Sequence, residues 1–245
     1  VHSMAQKEQG SIGKKINTYM YKHCGVVPVA LSREVKKSIY EVYNLSNDMI
    51  PTIYNGIDLA KCMPKTTYRI NEYCTILHIG RFMDVKNHEI LIRAFARLAK
   101  KHDDVRLQMI GEGELQSSME ELVKLLSISN KVDFLGVQSN VYPYLHEADI
   151  FCLPSKYEGI PMTLIEAMGT GLPIVASNVG GIPDMLKDNQ NALLVRPDES
   201  EIAEAMEALY GDFNLRKTLG IAAKKHSFTF SDNIMASEYI QVYEK

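Results

Sequence analysis

The chain has 245 residues, 46% of them hydrophobic and 23% charged, with a formal net charge of −3. These are the proportions of a folded globular protein, and they exclude a disordered or fibrous chain. The small negative charge gives no ground for a nucleic acid partner. No apolar run approaches the ~20 residues of a membrane-spanning helix.

The chain opens on Val1 rather than methionine and shows no signal peptide, so it reads as starting inside a longer product. The first 50 residues carry seven Lys and Arg against four acids, which leaves the remainder acidic. Within them, residues 25–31 read as one strand and 32–43 as a helix capped by Ser32. These pieces cannot close a sheet by themselves. They read as the tail of a second α/β domain, with residues 51–64 as a linker.

From residue 75 onward, apolar runs alternate with amphipathic helices. Residues 75–79, 105–110, 132–135, 149–153, 173–176 and 192–195 are expected strands. Residues 88–101, 114–126, 141–147, 162–168, 199–210, 214–225 and 232–243 are expected helices, for instance from the stripe Ile90, Leu91, Ala94, Phe95 and Leu98. Strand–helix alternation implies βαβ units, a parallel sheet and a doubly wound α/β fold. Ligands of such a sheet sit at the carboxyl ends of its strands, where Gly80, Gly111, Gly136 and Pro154 fall.

Cys24, Cys62, Cys74 and Cys152 are widely spaced, without a Cys-x-x-Cys pair. They read as thiols of a reducing compartment rather than as disulfides or metal ligands. No histidine shows metal spacing; His88, His102, His146 and His226 read as surface or helix-end residues. The methionines fall on apolar helical positions and read as core.

Two clusters carry chemistry. The first is Glu158-Gly159-Ile160-Pro161-Met162-Thr163-Leu164-Ile165-Glu166-Ala167, which follows a strand and opens a helix. Gly159 allows close backbone approach, and Pro161 suits a first helical turn. Free amides around Met162, Thr163 and Leu164, with the helix dipole, make an anion site. Glu158 and Glu166 flank it and can accept hydrogen bonds from sugar hydroxyls. Either Glu taken singly would read as a solvated surface residue. The second cluster is the loop at residues 80–87, where Arg81 and Lys86 can neutralise a diphosphate without a metal. Taken alone they would read as solvated loop cations. In the ligand-binding role, replacing either with alanine is expected to weaken diphosphate binding and to leave the melting temperature nearly unchanged. Gly111-Glu112-Gly113 has Gln116 where a dinucleotide fingerprint needs its third glycine, which disfavours an NAD enzyme. Gly180-Gly181 reads as a tight turn before a helix rather than as part of a donor loop.

Several stretches together carry a resemblance: IYNGID at 53–58, HIGRFMDVKNHEILIRAF at 78–95, MIGEGEL at 109–115, VDFLG at 132–136, and the run from Ala148 to Asp184 that contains Glu158 and Glu166 at Glu-x7-Glu spacing. They resemble the carboxyl half of a glycosyltransferase of family 4, the group 1 glycosyltransferases of GT-B fold. The resemblance implies a retaining, metal-independent hexosyltransferase that moves a sugar from a nucleoside diphosphate, UDP favoured, to an acceptor hydroxyl. It implies no cofactor, and the sequence shows no Asp-x-Asp. It implies that Arg81 and Lys86, with Glu158, are the catalytic groups, the first two on the diphosphate and the third on the donor sugar. Glu166 would take the ribose, and amides from Gly159 to Leu164 the sugar and phosphate. Gly80 and Gly111 would line the site, Leu135, Gly136 and Val137 would face the base, and His2 would reach the donor sugar. The implied domains are residues 1–50, a remnant of an acceptor domain; 51–64, the linker; 65–230, the donor-binding domain; and 231–245, a helix packing back on the acceptor domain. The implied setting is bacterial cell-surface polysaccharide or glycolipid synthesis in the cytoplasm or at the inner face of the membrane, with a sugar or lipid-linked acceptor and room for a peripheral membrane contact. Lys14-Lys15 and Lys36-Lys37 read as solvated faces before a lipid-headgroup contact. The alternative reading is a nucleotide-sugar-binding module without turnover.

Overall fold

In the computed structural model, residues 10–244 are described. Six strands pair side by side in parallel: β1 (Cys74–Ile79), β2 (Val105–Ile110), β3 (Val132–Phe134), β4 (Ile150–Leu153), β5 (Ile174–Ser177) and β6 (Leu193–Val195), in the order β3-β2-β1-β4-β5-β6. This order makes the sheet doubly wound and Rossmann-like, the fold class expected from the alternation. The order turns outward from β1 and β4, and the crevice between diverging connections opens there.

Period-two alternation divides the core. Ile76, Leu107, Met109, Ile150 and Cys152 face one side of the sheet, under α3 (His88–Lys101), α4 (Gln116–Leu125) and α8 (Glu199–Gly211). Leu77, Ile79, Phe151, Leu153 and Ile174 face the other, under α5 (Tyr142–Glu147), α6 (Met162–Thr170) and α7 (Ile182–Met185). Strands buried on both faces read as continuous apolar runs, which is why they were legible in the sequence. The helix expected at 214–225 extends as α9 (Phe213–Ser227), started by the Asp212 side chain accepting from the Leu215 amide.

The amino-terminal segment builds α1 (Ser11–His23) and α2 (Arg33–Tyr43) around a small cluster of Val35, Ile39, Tyr43, Leu45 and Ile50. Ser32 caps α2 by accepting from the Val35 amide, as expected. The strand expected at residues 25–31 does not form; only a bridge from Ala30 to Thr52 is present. Gly25 turns the chain at φ 68°, and Val26 and Val27 are exposed. β-propensity needs a neighbouring strand to become a strand, and none among the described residues lies beside this run. Ile53, Ile57 and Cys62 are buried along the following segment. The segment is tied down further by the Ile57 amide on the Phe230 carbonyl at 3.0 Å, and by the Asp232 amide on the Ile57 carbonyl at 3.0 Å. The last helix, α10 (Asp232–Tyr243), leaves Ile234, Ile240 and Tyr243 exposed.

His88 departs from its expectation. It opens α3 as a helix-end residue but is buried, stacked on Phe82 at 4.1 Å and edge-on to His78 at 4.7 Å. Three apolar steps along α3 face the core, and the ring at its start follows them inward. Burial pushes the His88 imidazole down to about 4, the Gly80 backbone opposing. The unfolded ring titrates near ~6.5, so between that pH and about 4 only the unfolded chain binds the proton. Stability is therefore complete above ~6.5 and falls as pH drops through this window, by at most about 3 kcal/mol for this residue. Thermal melts across that range should show the fall, and His88→Phe should reduce it, His78 supplying part of what remains; identical pH slopes would contradict the assignment.

Candidate functional site

At the carboxyl ends of β1 and β2 the chain opens a cleft of about 780 Å³, lined by Gly80, Arg81, Gly111, Gly113, Gln138 and Val141 among others. Glycines make it possible. Gly111 sits at φ 137°, where a Cβ would collide with the Gly80 carbonyl. A Cβ on Gly113 would collide with the Phe82 backbone. The Phe82 amide donates to the Glu112 carbonyl at 2.9 Å, and the Leu115 amide to the Phe82 carbonyl at 3.1 Å. The two loops are thus stitched main chain to main chain, leaving Arg81 exposed on the rim. Of the residues expected at the ligand, Gly80, Arg81, Gly111 and Val137 line this cleft. Leu135 and Gly136 lie just behind it, where the Gly111 amide donates to the Gly136 carbonyl at 2.9 Å. Gln116, Ser117 and Gln138 also line it and were not foreseen. They are polar positions without a recognisable spacing, and only the fold gathers them.

Beside the cleft, the loop at residues 80–87 is fastened to the segment after β4. Asn87, at φ 59°, donates through its side-chain amide to the Pro154 carbonyl at 3.1 Å. The Lys156 amide donates to the Val85 carbonyl at 2.8 Å. This places the Lys86 ammonium 2.7 Å from Oε1 of Glu158, which also accepts from the Ser155 hydroxyl at 2.6 Å. The side chains of Lys86 and Glu158 are only 19% and 10% exposed, so this is a shielded, charge-assisted pair. Both of these hydrogen bonds fall on Oε1 of Glu158, and none to its Oε2 is present among the described residues. Lys86 is therefore not a solvated loop cation, and this pairing predicts a stability cost on its loss in place of an unchanged melting temperature. Ser155 joins the site unannounced, because its partner is fixed only by the turn after β4.

The Glu158 main chain rests on the pair Gly180-Gly181. A Cβ on Gly180, at φ 56°, would collide with the Glu158 carbonyl, and one on Gly181 with the Gly159 carbonyl. The Gly181 amide donates to the Glu158 carbonyl at 2.9 Å. The pair does precede a helix, but it is also the floor of the Glu158 loop, so the turn reading was incomplete. Pro161 stands at the N-cap of α6 rather than in its first turn. The Leu164 amide is already taken by the Pro161 carbonyl at 3.1 Å, so the amides of Met162 and Thr163 face the loop. The Ile160 carbonyl accepts from the Asn55 side chain at 3.4 Å.

Glu166 lies one turn into α6, half-buried, with the Tyr142 hydroxyl beside it next to the cleft-lining Val141. Burial raises its carboxyl above the usual glutamate range, and the Tyr142 hydrogen bond opposes the rise. Under the sheet, His78 donates from Nδ1 to the Cys152 carbonyl at 2.9 Å, and burial holds its pKa well down. Its Nε2 is buried without a partner, directly beneath Gly80. His2 lies outside the described residues. Cys24, Cys62, Cys74 and Cys152 are all free thiols.

Residues 66–226 match the family model of the Glycosyl transferases group 1. An uncharacterized glycosyltransferase of Methanocaldococcus jannaschii is 30% identical over 239 residues, covering 91% of this chain and 60% of its own length. N-acetylgalactosamine-N,N'-diacetylbacillosaminyl-diphospho-undecaprenol 4-alpha-N-acetylgalactosaminyltransferase of Campylobacter jejuni is 30% identical over 197 residues, 79% of this chain and 53% of that protein. The chain thus spans between half and two thirds of the length of these relatives. The fold superposes on the crystal structure of Anabaena Alr3699/HepE in complex with UDP with a TM-score of 0.85 at 19% identity, over 100% of this chain and 70% of that one. That likeness places the fold with the GT-B glycosyltransferases. The cleft and its paired loops are carried by a chain that belongs to the group 1 glycosyltransferases.

Proposed function

We propose that this protein transfers a sugar from a nucleoside diphosphate, UDP first among them, to an acceptor hydroxyl with retention at the anomeric carbon. The observation that carries the reading is the shielded Lys86–Glu158 pair, held beside a glycine-walled cleft by the loop at residues 80–87. Arg81 on the cleft rim and Lys86, whose stem lies against Gly80 beside the cleft, would hold the diphosphate, and the amides of Met162 and Thr163 add to the positive field. Glu158 Oε2 then accepts from a donor-sugar hydroxyl, and Glu166 from the ribose. The bond from the anomeric carbon to the diphosphate breaks, its electron pair leaving on the phosphate. The acceptor oxygen bonds to the same face of that carbon, and its proton passes to the departing phosphate. Arg81, Lys86 and the α6 amides stabilise the charge that builds there, and the step needs no metal. The Campylobacter relative, named for a diphospho-undecaprenol saccharide, supports a lipid-linked acceptor, and the reading takes the product to be a cell-surface glycan. For the 245-residue chain by itself, donor binding without turnover is the second reading, favoured by its partial span of the relatives.

Calorimetric titration with UDP, GDP, ADP and NAD tests the reading. UDP should saturate one site, and Arg81→Ala should weaken it by about 1.5–3 kcal/mol, the range for a charged hydrogen bond. Arg81 is exposed and makes no ion pair among the described residues, so the melting temperature should stay put. Preference for NAD, or unchanged UDP binding in Arg81→Ala, would sink it.

Glu166 supplies a pH test. Its ionised form accepts the ribose hydroxyls, and its pKa is raised. UDP affinity should therefore decline on acidification beginning above the ordinary glutamate range near ~4.3. Glu166→Gln should bind weakly at neutral pH and lose that decline. An unaltered profile in Glu166→Gln would assign the acid limb elsewhere.

A further inference from the structure

Near the amino-terminal edge of the sheet, at the opposite end of the strands from the cleft, α9 is two-sided. Its inner face buries Leu219, Gly220 and Ala223, with Gly220 so close to the Gly171 backbone that a Cβ would collide. Its outer face carries Phe213, Lys217, Ile221, Lys224 and Lys225, with Phe228 one step beyond, at successive spacings of three and four that keep them on one stripe. Phe213, Ile221 and Phe228 are 36%, 52% and 60% exposed. The helix contains no acidic residue. Among the described residues, no ion pair involves Lys217, Lys224 or Lys225.

The stripe borders a shallow depression of about 610 Å³ whose lining includes no carboxylate. The depression lies at the amino edge of the sheet. There the Tyr68 hydroxyl donates to the Gly171 carbonyl at 3.0 Å, just ahead of β5, and the Lys65 ammonium donates to the His146 carbonyl at 3.2 Å, just ahead of β4. A partner seated on this edge leaves the opposite edge, with its cleft, open.

We propose that the outer face of α9 docks on an anionic lipid bilayer. Phe213, Ile221 and Phe228 enter the boundary between headgroups and acyl chains, while Lys217, Lys224 and Lys225 meet acidic headgroups. The chain's net charge of −3 offers no general attraction to anions, so the attraction is local to this stripe. A purely ionic partner such as a nucleic acid would leave three large apolar side chains in water, whereas a bilayer interface takes both kinds of group at once. The inference does not depend on what the cleft binds.

Flotation with phosphatidylcholine vesicles, with and without phosphatidylglycerol, tests it on the 245-residue chain. The chain should float with the anionic vesicles only and be released by high salt. Lys217→Gln/Lys224→Gln/Lys225→Gln should partition about a hundredfold more weakly, from about 1 kcal/mol for each lysine near the surface. Phe213→Ser/Ile221→Ser/Phe228→Ser should also lose vesicle binding while keeping its UDP titration; should that variant not fold, the lysine variant decides. Absence of flotation, or flotation unchanged in the lysine variant, overturns the proposal. So does duplex DNA binding that survives the serine variant while vesicle binding is absent.

Discussion

Gly180→Ala is expected to destabilise the protein by about 3–5 kcal/mol and to abolish UDP binding with it. Two costs add. The residue sits at φ 56°, where an L side chain is strained, and its Cβ would be driven into the Glu158 carbonyl. The obstructing atom is main chain, held by the Gly181 amide at 2.9 Å, so it cannot swing aside as a side-chain tip would. Relief requires moving the loop that presents Glu158, which couples the loss of stability to the loss of the site. Gly211→Ala is the matched control, since no atom lies within 4 Å of the Cβ it would gain. Urea denaturation of both variants, with UDP titration at each, gives the comparison. Equal midpoints for the two would refute the packing account.

Lys86→Met is expected to cost about 2–4 kcal/mol of stability as well as affinity, because it leaves Glu158 shielded from water without its countercharge. The Ser155 hydroxyl still donates to Oε1, and the pair retains some solvent contact, which keeps the loss below that of a fully buried pair. Adding Glu158→Gln removes the stranded charge. The double variant should regain most of the stability and none of the affinity, which separates the structural part of the pair from its part in binding. If Lys86→Met melts like the parent protein, the pair is not formed in solution.

The contrast with Arg81 shows what the sequence could and could not disclose. Both cations were legible as a loop motif at the end of β1, because strand–loop–helix succession is written in local periodicity. That one is shielded and paired while the other stands on the rim depends on Glu158, 72 residues away, arriving at the same corner. Spacing along the chain holds no record of that meeting. The same limit hid the seating of Glu158 on Gly180-Gly181, and it hid His88, whose burial follows from the ring of Phe82 rather than from its own neighbours. The strand positions were recoverable because buried parallel strands are largely apolar, whereas their order in the sheet was not read from the sequence. The run at 25–31 has the composition of a strand and failed for want of an edge to join.

The glycine contacts have a consequence for how such a site can diversify. Gly111 against Gly80, Gly113 against Phe82, Gly180 against Glu158 and Gly181 against Gly159 all set their distances between main-chain atoms. A side chain added at any of these glycines would meet main-chain atoms, so these close approaches depend on the glycines themselves. The cleft's wall is built separately, with Gln116, Ser117, Val137 and Gln138 among the residues that line it. Substitutions on the wall can therefore change what the cleft presents while the main-chain frame around it stays as it is, as type is reset in a press whose bed stays fixed.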